Sequence, residues 1–150
     1  MNGGKSPKNR FHDLSCVKIL KRAELEDPAF ALLRPKADLA MLLAFLQRFD
    51  RLGWFPPLDG EKRALLAAND VIIHRVSPDV CFYEFCSKGA RGERDPWLTL
   101  LFHVDTQACV RICGVVPASF ARDHRPAVVK KVGERVRELE KWLRRRRKEK

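Results

Sequence analysis

Phosphate chemistry needs cations that fork onto oxygens and groups that titrate near neutrality, and this 150-residue chain carries such groups in three places. The segment "RICGVVPASFARDHRPAVVKK" (111–131) holds a polar knot, Arg122-Asp123-His124-Arg125, between an apolar run and a helical pattern. The segment "WLTLLFHV" (97–104) ends on His103 beside Val104 and Asp105. The segment "KWLRRRRKEK" (141–150) contains Arg144, Arg145, Arg146 and Arg147 in a row. Cleaving RNA through its own 2′-hydroxyl requires deprotonation of that hydroxyl, stabilisation of extra negative charge on phosphate, and protonation of the leaving oxygen. His103 and His124 are the candidate proton carriers and Arg111 the candidate phosphate clamp. Arg122, Arg125 and the four arginines 144–147 are candidate nucleic-acid contacts.

Each of these groups also has a plainer reading. Asp123 lies three residues before Pro126 and can cap the terminal helix, so the knot divides between capping and phosphate contact. The arginine run complements the negative pole of a helix end whether or not it touches a ligand. His12 and His74 have no local partner pattern. Five cysteines form an odd set, and neither Cys81/Cys86 nor Cys109/Cys113 has zinc-site spacing, so the expectation is free thiols, no metal and no cofactor.

The charge has a location. The formal net charge is +11, of which residues 1–10 carry +3 and residues 141–150 carry +6, leaving +2 for the body. Such ends fit a polyanionic partner. The longest apolar run, "LAMLLAFL" (39–46), is far short of the roughly 20 residues a bilayer demands, and no leader pattern opens the chain, so the expectation is a cytoplasmic protein without membrane contact.

The elements that must position these groups follow from periodicity. "CVKIL" alternates as a short strand. Leu39, Leu42, Leu43, Leu46 and Phe49 recur at helical spacing after Asp38, "WFPPLDG" breaks the pattern, and "EKRALLAAN" continues as a second helix. "VIIHRV", "VCFYEFC", "WLTLLFHV" and "ACVRICGVV" read as an antiparallel meander, and Val128, Val129, Val132, Val136, Leu139 and Leu143 form one stripe of a long last helix. Strand alternation puts Trp97, Thr99, Leu101 and His103 in one row. It groups Arg111 with Cys109 and Cys113, away from Val110, Ile112 and Gly114. A face bearing Thr99, His103 and Arg111 is then expected to be the open side of the sheet. The fold class is α+β: a small antiparallel sheet preceded by two helices and closed by a long C-terminal helix. The expected organisation is a flexible basic arm over residues 1–15, a domain over 16–143 and a basic tail over 144–150.

This order resembles the RelE/HigB superfamily of bacterial toxins. The features that carry the resemblance are an opening strand at "CVKIL", a helical pair over 38–69, strands through "CFYEF" and "WLTLLFHV", and "CVRICGVV" leading into a terminal helix. The resemblance implies a RelE-like fold, metal-independent cleavage of ribosome-bound mRNA by basic side chains, and an antitoxin partner. The paired lysines usual after the last strand are replaced by Ala118, Ser119 and Phe120. Two other readings stand beside it: a non-catalytic basic module binding RNA or the ribosome, and a partner-binding protein.

Overall fold

The computed structural model describes residues 16–49, 60–87, 97–105 and 109–148. The arm 1–15, the break up to residue 59 and the 88–96 connection lie outside them. Strand β1 (Val17–Ile19) leads into helix α1 (Lys21–Glu26), a tight turn of helix at Pro28–Leu32 and a wide one at Pro35–Leu39. Helices α2 (Ala40–Phe49) and α3 (Gly60–Ala68) follow, then strands β2 (Ile72–Ser77), β3 (Val80–Ser87), β4 (Leu98–Val104) and β5 (Val110–Pro117). A short helix α4 (Ala118–Asp123) precedes α5 (Arg125–Lys148), so the basic run continues the last helix through Lys148.

The class is α+β, with a five-stranded sheet ordered β1-β5-β4-β3-β2. The four later strands form the expected antiparallel meander. The sheet as a whole is mixed, which corrects the all-antiparallel expectation: β1 lies parallel to β5, with Val17 opposite Val110 and Ile19 opposite Ile112. A three-residue strand carries no signal of its partner's direction. That direction is set by the chain returning through the helices before β5 is laid down.

Local chemistry explains the punctuation. Pro28 and Pro35 open the two short helical turns, where a missing N–H costs nothing. Asp38 is buried and accepts the Arg34 N–H at 2.7 Å and the Ser87 hydroxyl at 2.6 Å, tying the entry to α2 onto the end of β3. Helix α3 stops because Asp70 adopts φ 54°, a left-handed conformation Asp tolerates. The Val71 and Asp70 N–H groups then bond the Leu66 and Ala67 carbonyls, while Leu66 and Val71 join one apolar cluster.

Two cores result, one on each side of the sheet. Leu42, Phe45, Leu46 and Phe49 of α2 pack with Tyr83, Phe85, Leu100 and Phe102. Val128, Val132, Val136, Leu139 and Leu143 of α5, the stripe expected from sequence, pack with Phe82, Leu101 and Cys113 on the other side. The side expected to be open is therefore covered by α5, and Thr99 and His103 are buried. A bulge makes a separate difference on β5. Leu101 pairs with Gly114 but Phe102 with Ile112, so Cys113 is an extra residue and the alternation on β5 inverts beyond it.

Gly114 consequently faces α5 rather than sharing a side with Ile112. A Cβ there would lie 2.8 Å from Val132 Cγ2 and 3.3 Å from Leu101 Cδ1. Both neighbours are fully buried, so the Val132 side chain or the helix that carries it must shift. Gly114→Ala is expected to destabilise the fold by about 1–3 kcal/mol in urea unfolding, and Val132→Ala in the same chain should recover part of the loss. Equal stability of Gly114→Ala and wild type would show that α5 does not seat this closely.

Candidate nucleic-acid interface

His103 and Arg111 are direct partners across the β4–β5 ladder, so the structure brings these two candidates together. Their surroundings are already occupied. His103 is 3% exposed, and its Nε2 meets Glu140 Oε2 of α5 at 2.8 Å. Its Nδ1 has no hydrogen-bond partner. Burial holds this imidazole below its ordinary pKa despite the opposing pull of Glu140. A neutral ring that donates from Nε2 satisfies this geometry. Arg111 Nη1 donates to Asp105 Oδ2 at 2.8 Å, while Asp105 Oδ1 accepts the Cys109 N–H at 3.1 Å. One carboxylate thus ties the end of β4 to the start of β5 and holds the guanidinium.

The knot lies elsewhere. About 22 Å of helix, at 1.5 Å per residue, separates Arg125 from the Glu140 that touches His103, so His124 does not join His103 and Arg111. Asp123 is the last residue of α4, and its carboxylate meets the exposed Arg122 Nε at 3.4 Å. It does not cap α5, which corrects the expectation. His124 stands between the helices at φ −128°, ψ 36°, and its carbonyl accepts the Val128 N–H at 3.1 Å. Its ring packs on Phe120 with centroids 4.6 Å apart. Arg125 forks onto Glu84 at 3.2 and 2.9 Å, and Glu84 also meets His74 Nε2 at 2.8 Å. Burial would raise the Glu84 pKa, but the bonds from His74 and Arg125 bring it below the usual carboxylate value. Arg125 is therefore a strut between α5 and β3.

The remaining cations form a surface. Helix α5 contains eleven basic and three acidic residues. Glu138 is bonded to Arg22 at 2.7 Å and Glu140 to His103, and Arg135 is buried on Asp27. Lys130, Arg137, Lys141, Arg144, Arg145 and Lys148 are exposed, and none has an ion-pair partner among the described residues. At 100° per residue these positions, spaced mostly by three, four or seven, fall along one side of the helix. Arg137, Lys141 and Arg144 also border a shallow cavity of about 200 Å³ against the β2–β3 turn at Val76, Ser77 and Val80.

A second feature was not singled out in the sequence. Trp142 is 39% exposed, with the Arg146 guanidinium 4.7 Å and that of Arg111 5.9 Å from its ring centroid. Two predicted phosphate contacts from distant segments therefore meet on one aromatic ring. The ring lines a groove of about 330 Å³ between α5 and the β1–α1 edge, which Lys18 and Lys21 also line. The signal available in the sequence was the four-residue spacing of Trp142 and Arg146 on a helix. The side chain of Arg147 lies outside the described residues.

All five cysteines are free thiols, and burial pushes the Cys113 thiol up to about 12. Among the described residues, no three His, Cys, Asp or Glu side chains gather as a metal site would require, and no helix is long and apolar enough to cross a membrane. Compared with protein-family models, with curated proteins and with solved structures, the chain finds no match in any of the three.

Proposed function

We propose that this protein is an RNA-binding module that holds its ligand without cleaving it, using the exposed cations of α5 and the groove at Trp142. The observation that carries this reading is the division of labour among the basic residues. Cations facing the fold, Arg125 and Arg135, are spent on Glu84 and Asp27, whereas Lys130, Arg137, Lys141, Arg144, Arg145 and Lys148 point outward. An outward row of this kind tracks a phosphate backbone and needs no base contact. Against cleavage stands the placement of the candidate catalysts. A proton carrier must come within about 3 Å of the hydroxyl it serves, yet His103 lies under α5 on Glu140, and His124 sits at the other end of that helix.

The element order supports a second reading, the RelE/HigB-like endonuclease toxin held by an antitoxin, with Arg111 and Arg146 as its phosphate clamp. One experiment separates the two. Purified protein is titrated into end-labelled mRNA and ribosome-bound mRNA, with binding read by mobility shift and integrity by denaturing gel. Binding with intact RNA is the expected result. Cleavage that Arg111→Ala abolishes would establish the toxin reading, and absence of RNA binding at about 50 mM salt, where phosphate contacts are strongest, would sink both.

A further inference from the structure

The groove beside Trp142 adds a preference that a row of surface cations cannot give. Resting on the RNA-binding reading above, we propose that this groove seats one unpaired nucleotide of a single-stranded RNA, its base against the Trp142 ring. Three features of the site point to this occupant.

The aromatic surface is accessible and held by ligands that a base can replace. Trp142 is 39% exposed, and Arg146, which covers part of it at 4.7 Å, is itself exposed on α5. A guanidinium over an exposed ring is bound by about 0.5–1 kcal/mol, less than the roughly 1–3 kcal/mol a stacked base contributes. The base takes the place of Arg146, and the displaced guanidinium stays within reach of the adjoining phosphate. Arg111 remains, fixed from behind by Asp105 at 2.8 Å.

The groove is concave, with charge on both walls. Its volume of about 330 Å³ lies at the lower end of small-ligand clefts, and Ile19 and Leu139 give it an apolar floor. Lys18 and Lys21 stand on the β1–α1 wall with no ion-pair partner among the described residues, whereas neighbouring Arg22 is taken by Glu26 and Glu138. Glu138 also lines the groove, but its carboxylate is held by Arg22 at 2.7 Å, so the apolar slot keeps a cationic excess on its rims, which matches a base flanked by two phosphates. A stacked duplex keeps its bases out of such a slot. A flat anionic membrane reaches the rims but leaves the floor empty.

The groove also runs into the cation row. Trp142 lies between Lys141 and Arg144 on α5, so a strand that leaves the slot meets further cations within one helical turn.

The test uses the full chain with a 15-nucleotide oligouridylate, a 15-base-pair RNA duplex and phosphatidylserine vesicles as separate probes. Oligouridylate should bind at least about tenfold tighter than the duplex and quench tryptophan fluorescence, and Trp142→Ala should lose about tenfold in oligouridylate affinity together with most of the quenching. Trp142→Phe, which keeps a stacking face, should restore most of the affinity. Should Trp142→Ala fail to fold by circular dichroism, Lys18→Gln with Lys21→Gln supplies the second variant. These exposed changes should lower the oligouridylate salt slope by about 1.4, at 0.7 per single-strand phosphate. Failure of every RNA to bind sinks the RNA reading itself. Binding with equal affinity for duplex, or with Trp142→Ala unchanged, overturns the groove alone, and vesicle binding without oligouridylate binding overturns both in favour of a membrane surface.

Discussion

Arg135→Met is expected to destabilise the protein by about 3–5 kcal/mol in urea unfolding, a larger loss than any exposed substitution should cause. The Arg135 side chain is fully buried and donates to Asp27 through Nη1 at 2.9 Å and Nη2 at 2.8 Å. Removing it leaves a buried carboxylate whose only remaining compensation is the Val115 N–H at 3.0 Å and the half-exposed Lys131, 3.3 Å away. The pair also does the work of a strand. Beyond Ile112 the edge of β5 has outrun β1, and its orphaned groups are taken by these two side chains: Arg135 donates to the Cys113 carbonyl at 2.8 Å and Asp27 accepts the Val115 N–H at 3.0 Å.

A second arm separates an edge-finishing pair from an ordinary buried ion pair. Replacing both members with apolar groups, Asp27→Leu with Arg135→Met, is commonly neutral for an ordinary buried pair. Here it strands a backbone N–H and a carbonyl, so about 2 kcal/mol or more of the loss should persist. Full recovery in the double variant would show that the β5 edge does not depend on the pair.

The same pair sets a pH signature. Burial alone would raise the Asp27 pKa, but the bonds from Arg135 and Val115, with the charge of Lys131, bring it below the ordinary aspartate value. A carboxylate depressed in the folded state contributes its stability fully above the unfolded pKa of about 3.9 and loses it as pH falls through the lower folded value. The stability gap between wild type and Asp27→Asn should therefore be widest above about pH 5 and close as the solution is acidified further.

The stripe of α5, the helical face of α2 and the four later strands were legible because each buries a regular set of side chains whose period survives in the sequence. What was not legible depends on contacts between distant segments. Asp27 and Arg135 are 108 positions apart, and Asp27 looks locally like a turn residue before Pro28. The one-residue bulge at Cys113 leaves no compositional mark yet turns Gly114 to the other side of the sheet. Alternation along the two strands places His103 and Arg111 on one face, and they are partners across the β4–β5 ladder. Covering their side of the sheet required α5 to bring Glu140 over His103, and the alternation of β4 alone carries no information about that helix. At the candidate interface the cations were visible as charge, but the sequence could not sort struts such as Arg125 from outward-facing residues such as Arg144, because a charged side chain reads the same in either role.

That sorting makes the largest binding effect predictable. Replacing Arg137, Lys141, Arg144, Arg145 and Lys148 together with glutamine should flatten the salt dependence of single-stranded RNA binding by about 3.5 in log–log slope, at roughly 0.7 per phosphate contact. Between 50 and 200 mM salt the wild type should then lose about a hundredfold more affinity than the variant, a difference that follows from counterion release. The fold should not suffer. All five side chains are exposed, and like charges four apart, as at Arg137/Lys141 and Lys141/Arg145, repel along the helix, so the variant should melt at or slightly above the wild-type temperature. Lys36→Gln, an exposed cation at the turn before α2, serves as the control and should leave the slope unchanged. The opposite pattern is expected of Arg125→Gln: it breaks the fork onto Glu84 and should lower stability while barely changing the slope, because a strut releases no counterions when RNA binds. A slope that falls with Arg125→Gln but not with the five-residue variant would place the phosphate path at the knot instead of along α5.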